Sequence, residues 1–177
     1  MTTPAPSDAA RPTLQAKVLT ISDGVHAGVR DDASGRALVD RLTTAGYDVI
    51  QHRVSPDGVE EVADALIHMA YGFHGLIVTT GGTGFGPHDQ TPEGTRRILD
   101  RLAPGLAEAM RTVNPLGRLS RGIAGTRGLA LILNTVGSTK GSVEMLDAVL
   151  DVVPHALGLM SDNSSPHPTG DDGGVVA

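Results

Sequence analysis

Residues 76–93, Leu-Ile-Val-Thr-Thr-Gly-Gly-Thr-Gly-Phe-Gly-Pro-His-Asp-Gln-Thr-Pro-Glu, restrict what this chain can fold into more than any other stretch. They begin with an apolar run, Leu76-Ile77-Val78, followed by two threonines, which marks a buried strand. Four glycines then fall within six residues, at Gly81, Gly82, Gly84 and Gly86. Without a Cβ the backbone can turn sharply and approach a ligand, and successive N–H groups in such a turn can form a nest for an anion. Thr91-Pro92-Glu93 reads as a helix start: threonine as N-cap, proline in the first helical position, glutamate at the positive end of the dipole. The expectation is strand, glycine turn and helix, with the carboxylate of Asp89 at the mouth of an anion site. A tight βα turn with no ligand would use the same glycines; Asp89 and the helix start weigh toward the site.

The same alternation runs through the chain. Strands are expected at 17–21, 47–54, 76–80 and 129–133. A helix from Ser34 to Ala45 carries Leu38, Val39 and Leu42 on one face, and Gly46 stands where a C′ glycine belongs. Ser55-Pro56-Asp57 reads as cap, first-position proline and first-turn acid of a helix running to Ala70. Further helices are expected from Pro92 to Leu102, from Pro104 to Val113 (stopped by Asn114-Pro115) and from Val143 to Val153. Residues 116–127 mix basic groups with glycines and yield no element.

Alternating strands and helices give an α/β fold, a three-layer sandwich with a mainly parallel sheet flanked by helices. Right-handed crossovers put the C-terminal end of each strand on one rim, where open α/β sheets bind ligands. Loops 22–33, 81–91 and 134–142 leave that rim, and Asp57 also follows a strand end. The Pro-, Ala- and polar-rich residues 1–13 and the polar residues 162–177 read as disordered tails around one domain, 14–161.

Composition narrows the function. At 177 residues the chain suits a single domain; a body of about 150 residues buries roughly 68–70% of its unfolded surface, enough for a core without staples. Aromatics make up only 2%, which leaves few rings for stacking bases, and a net charge of −6 argues against a nucleic-acid partner. There is no cysteine, hence no disulfide, thiolate metal site or thiol nucleophile. No run of 18 apolar residues suggests a membrane helix, and the N-terminus lacks a basic start and apolar h-region, so a cytoplasmic location is expected.

Other motifs are weaker. Gly137-Ser138-Thr139-Lys140-Gly141-Ser142 lacks the glycine before and the hydroxyl residue after the lysine that a P-loop needs. A lysine among small residues at a helix start can still hold a phosphate, with a merely solvated lysine as the alternative. Asp57 and Asp89 could share a Mg²⁺, which favours carboxylate plus phosphate oxygens; a plain helix-start acid is the alternative for Asp57. The seven histidines are scattered without metal-ligand spacing, and Gly-x-Ser-x-Gly is missing.

Residues 79–95, Thr-Thr-Gly-Gly-Thr-Gly-Phe-Gly-Pro-His-Asp-Gln-Thr-Pro-Glu-Gly-Thr, resemble the TTGGTGxxPRDxTPEAT signature of the MogA/MoaB-type molybdopterin-binding proteins. Ser22-Asp23 matches the family's SISD, Asp57 its acid after the second strand, and Asn134-x-x-Gly137-Ser138-x-Lys140-Gly141 its NLPGSPKG. Glu108-x-Met110-Arg111 and Ser120-Arg121 also fit, so the resemblance covers about 16–160. His88 replaces the usual arginine and Gln90 an apolar residue; Thr135-Val136 and Thr139 replace Leu-Pro and Pro, an exchange expected to leave that loop less rigid.

The resemblance implies molybdenum cofactor biosynthesis: the terminal phosphate of molybdopterin attacks the α-phosphorus of ATP, pyrophosphate leaves, and adenylylated molybdopterin forms. It implies that Asp57 and Asp89 hold Mg²⁺ and act in catalysis. Gly81, Gly82, Thr83 and Gly84 would line the nucleotide phosphates, and Ser138 and Lys140 would take a phosphate. Ser22, Asp23, Asn134 and Gly137 would complete the binding site. A homotrimer and contacts with other molybdenum cofactor biosynthesis proteins are further implications. Two rival readings share the fold: a non-catalytic molybdopterin carrier or scaffold, and a nucleotide hydrolase.

Overall fold

The apolar residues of each central strand divide by parity. In the strand Gly75–Thr80, Leu76 and Val78 pack into one core and Ile77 into another. In Ala130–Thr135, Leu131 and Leu133 take the first and Ile132 the second. A strand buried on both faces needs helices on both, and the computed structural model, which describes residues 13–161, has them.

The elements run in chain order as β1 (Gln15–Ile21), α1 (Asp23–His26), α2 (Ala33–Thr44), β2 (Asp48–Ser55), α3 (Val59–Ala70) and β3 (Gly75–Thr80). They continue as α4 (Thr91–Ile98), β4 (Arg101–Leu102), α5 (Pro104–Thr112), a 3₁₀ turn (Pro115–Leu119), β5 (Ala124–Arg127), β6 (Ala130–Thr135), α6 (Thr139–Asp147) and α7 (Val153–Ser161). The sheet order is β2-β1-β3-β6-β5-β4. Its first four strands are parallel, and β5 and β4 return antiparallel at one edge. The expected mainly parallel α/β sandwich is therefore the architecture found.

Leu38 and Leu42 of α2, Met110 of α5, Met145 and Leu146 of α6 and Leu157 of α7 fill the first core. Val62, Leu66 and Met69 of α3 and Ile98 of α4 fill the second. Lys17 lies on the second face; its ammonium donates to the Met69 carbonyl at 2.7 Å and sits 4.1 Å from the centre of the Phe73 ring. Partial burial lowers its pKa, and the carbonyl and ring face supply the polar contact that the half-buried charge needs.

Several boundaries differ from the sequence expectation. The helix expected to begin at Ser55 starts at Val59, after Gly58 at φ 135°, and its first-turn acids are Glu60 and Glu61. Ser55 completes β2, so Asp57 is left outside the helix. The helix expected to reach Leu102 stops at Ile98, because residues 101–102 pair with β5 instead. The helix expected from Val143 begins at Thr139, where Ser142 N–H bonds the Ser138 carbonyl at 2.9 Å, and ends at Asp147. The unreadable 116–127 holds the end of the 3₁₀ turn, begun when the Asn114 side chain caps Leu116 N–H at 2.9 Å, and then β5. The expected tails, 1–13 and 162–177, lie outside the described residues except for Thr13.

Candidate active site

Parallel register brings the ends of β1, β2, β3 and β6 to one rim: Ile21 is level with Ser55, Thr20 with Thr80, and Thr80 with Thr135. The chain leaves that rim at Ser22, Pro56, Gly81 and Val136, and the loops enclose a cavity of about 540 Å³.

Ser22 donates its N–H to the Ser55 carbonyl at 3.0 Å and caps α1 by accepting from Val25 N–H at 3.3 Å. The next residue is locked to β2's loop. Asp23 N–H donates to Asp57 Oδ2 at 2.9 Å, and Asp57 N–H donates to Asp23 Oδ1 at 3.0 Å. Burial is the largest influence on the Asp57 carboxyl and pushes its pKa above the ordinary range. The charges of Asp23 and Asp89 push the same way, while the Asp23 N–H and the charge of His88 oppose.

Gly81 and Gly82 fit between these parts only because they have no side chains. Gly81 and Gly82 have φ of 100° and 63°. A Cβ on Gly81 would lie 2.2 Å from the Ile21 carbonyl oxygen, and one on Gly82 2.3 Å from Thr91 Oγ1 and 3.1 Å from Asp57 Oδ1. The turn therefore packs directly on the end of β1 and beside the Asp57 carboxylate. Thr91 is not the N-cap expected of it: Gln90 holds that position without a side-chain bond. Thr91 is buried and its hydroxyl donates to the Gly81 carbonyl at 2.9 Å, so it anchors the turn.

Asp89 returns toward the turn and accepts from Gly86 N–H through Oδ2 at 2.8 Å. Arg121 clamps the outside of the same loop. Its N–H donates to the Thr83 carbonyl at 2.9 Å and its Nε to the Gly84 carbonyl at 2.7 Å. Its guanidinium also bonds the Asp89 carbonyl and pairs with Glu93, whose carboxyl is held below its ordinary range chiefly by that contact.

Ser22, Asp23, Asp57, Gly81–Gly84 and Asp89 thus surround one cavity, joined by Gly137. Ser138 lies outside it, in an adjoining cavity of about 310 Å³ and in a third of about 200 Å³. Lys140 lines only the third, with its ammonium 3.6 Å from Glu144 and its side chain open to solvent. Asn134 is buried behind the site: its amide donates to Thr79 Oγ1 at 3.0 Å and Thr95 Oγ1 at 3.1 Å, and its oxygen accepts from Ile123 N–H at 3.3 Å. The loop without prolines is held differently, by Thr80 Oγ1 donating to the Val136 carbonyl and Thr135 Oγ1 to the Thr79 carbonyl, each at 2.8 Å.

Sequence reasoning missed Arg30, Leu116, Leu119 and Val136 as cavity walls. It noted Arg121 without giving it a task. The two leucines stand in the segment that had no periodicity to read.

Residues 17–155, most of the chain, match the family model described as "Probable molybdopterin binding domain". The chain belongs to the molybdopterin-binding family. Among its relatives is a molybdopterin adenylyltransferase of Helicobacter pylori, 34% identical over 158 residues, which cover 85% of this chain and 90% of the relative. A gephyrin of Dictyostelium discoideum is 37% identical over 163 residues, 84% of this chain but 22% of that protein, so the match spans about a fifth of the gephyrin. The solved structure of MoaB from Thermus thermophilus superposes with a TM-score of 0.80 at 44% identity, covering 84% of this chain and 97% of that one. The signature that marks this molybdopterin-binding chain in sequence is the turn that lies between its two acids in space.

Proposed function

We propose that this protein is a molybdopterin adenylyltransferase of molybdenum cofactor biosynthesis. An oxygen of the molybdopterin terminal phosphate forms a bond to the α-phosphorus of ATP. The bond from that phosphorus to the α–β bridging oxygen breaks, pyrophosphate leaves with the electron pair, and adenylylated molybdopterin remains. Such a transfer requires positioning and charge stabilisation more than covalent help. The observation that carries the reading is the mutual backbone brace of Asp23 and Asp57, which fixes a half-buried carboxylate beside a glycine turn and near Asp89.

The two acids keep free oxygens that a magnesium ion could use. One oxygen of each carboxylate is engaged by a backbone N–H, Asp57 Oδ2 by Asp23 and Asp89 Oδ2 by Gly86, which leaves Oδ1 of each for a metal. The raised pKa of Asp57, caused by burial and its acidic neighbours, is a strain that a cation relieves. Asp57 and Asp89 would hold the ion, which when bound offsets the charge of the nucleotide phosphates. The backbone of Gly82, Thr83 and Gly84 lines the cavity beside the acids and would meet the phosphate chain, whereas the Gly81 N–H is already taken by the Thr135 carbonyl at 3.3 Å. Leu116 and Leu119 give the cavity an apolar wall.

The expected homotrimer is retained as part of this reading; exposed Leu102, Val113 and Leu116 supply apolar surface for association. A cytoplasmic location belongs to the same proposal. Among the described residues no helix is long and apolar enough to cross a membrane. Lys140, turned toward Glu144, favours the carrier as the second reading, since the lysine then makes no contact in the main cavity. Incubation with molybdopterin, ATP and Mg²⁺, assayed for pyrophosphate and adenylylated product, separates them. Equal amounts of both are expected; binding of molybdopterin with neither product would establish the carrier.

A further inference from the structure

The cavity of about 540 Å³ is walled by three carboxylates, from Asp23, Asp57 and Asp89, and one basic side chain, from Arg30. The adjoining cavity of about 310 Å³ also has one basic side chain on its wall, again Arg30. The two cavities share Ile21, Ser22, Arg30, Gly81 and Gly137, so Arg30 stands on the seam between them. Two anionic substrates brought together across that seam would meet at its only cationic wall residue.

The loop around Arg30 is built to leave the guanidinium unengaged. Val29 N–H and Arg30 N–H both donate to the Gly24 carbonyl at 3.0 Å, which closes the loop through its backbone. The neighbouring acids are committed elsewhere. Asp31 pairs with Arg36. Asp32 caps α2 by accepting from Gly35 N–H at 2.9 Å, and its other oxygen lies 2.9 Å from His52 Nε2 and 2.8 Å from the donating hydroxyl of Thr20. Among the described residues Arg30 has no carboxylate within ion-pair distance. An arginine fixed at its backbone, without an internal partner and facing two cavities, is placed for an external anion.

We propose that Arg30 binds the phosphate chain of the substrate at this seam. The proposal rests on the adenylyltransferase reading and adds to it a phosphate-binding residue contributed by loop 22–33. Arg30 offers two parallel N–H donors to phosphate oxygens that gain charge as pyrophosphate leaves.

The test is calorimetric titration of the full chain with three probes: ATP, inorganic pyrophosphate and adenosine. Arg30→Gln and Arg30→Lys are compared with wild type and with Arg97→Gln, a charge-matched control whose arginine pairs with Glu60 on the second helical face. Arg30→Gln is expected to weaken pyrophosphate and ATP by at least about tenfold, the scale of a lost charge-assisted pair, and to leave adenosine unchanged. Arg30→Lys should recover part of the loss, because a point charge remains without the fork. Equal pyrophosphate affinity in wild type and Arg30→Gln would overturn the role of Arg30 and leave the adenylyltransferase reading standing. Failure of the folded wild type to bind ATP would overturn both.

Discussion

Asp23 and Asp57, 34 residues apart in sequence, each accept a hydrogen bond from the other's backbone N–H, at 2.9 and 3.0 Å. The exchange ties the loop after β1 to the loop after β2 and fixes the direction of both carboxylates. It also gathers negative charge without an intervening basic side chain, a cost that a metal cation would offset.

That cost sets a pH dependence. The Asp57 pKa is raised in the folded state, so between the ordinary 3.8 and the raised value the folded protein holds more protons than the unfolded chain. Its contribution to stability therefore falls as pH rises through that window and stays unfavourable above it. In metal-free buffer Asp57→Asn, which keeps an acceptor for Asp23 N–H, should melt higher than wild type at pH 7 and level with it near pH 3. A variant melting lower at pH 7 would show that the charge stabilises the fold.

Asp89→Asn should leave stability within about 0.5 kcal/mol, as usual for a surface loop, because the amide oxygen can still accept from Gly86 N–H. Turnover should fall by about 10²–10³, the scale of losing a preorganised charge contact. Steady-state rates beside melting temperatures decide the matter, and unchanged turnover removes Asp89 from the mechanism.

Gly81→Ala would place a methyl against the Ile21 carbonyl at a positive φ. Strain at such a residue alone costs about 1–2 kcal/mol, and the backbone clash adds to it. Denaturant titration should show a loss of about 2 kcal/mol or more; a neutral result would mean that the turn can move away from β1.

Asn134→Ala separates a structural role from a binding one. It strips the partners from the buried hydroxyls of Thr79 and Thr95 and should cost about 1–3 kcal/mol. Molybdopterin affinity of the folded fraction should match wild type. A large affinity loss without a stability loss would put Asn134 at the ligand.

Arg121→Lys should lower turnover as well as stability, since a lysine cannot reach the Gly84 and Asp89 carbonyls and Glu93 together. Stability loss of about 1–3 kcal/mol is the scale for breaking such a clamp. Wild-type activity in this variant would show that the loop holds its shape without the fork.

The sheet and the glycine turn were legible because their signals are local. Val78 between Ile77 and Thr79 speaks for a buried strand, and Gly81-Gly82 for a sharp turn. The placement of Asp57 was legible only as a residue after a strand, and its partner was not, because the Asp23–Asp57 exchange joins loops through backbone atoms that carry no sequence mark. Thr91 was misread for a related reason: a threonine before proline fits a cap, yet the closeness of Gly81 gave its hydroxyl a different acceptor. Arg30 was hidden because its importance lies in what Asp31 and Asp32 already bind.

Adenylyl transfer itself is tested most directly with ATP labelled at the α-phosphate, mixed with molybdopterin, Mg²⁺ and excess folded protein for a single turnover. The expected result is that label appears in the pterin product as pyrophosphate is released, and that Asp57→Asn and Asp89→Asn slow its appearance. Label in free AMP would identify a nucleotide hydrolase, and unconverted ATP in the presence of bound molybdopterin would identify a carrier; either result contradicts the transferase.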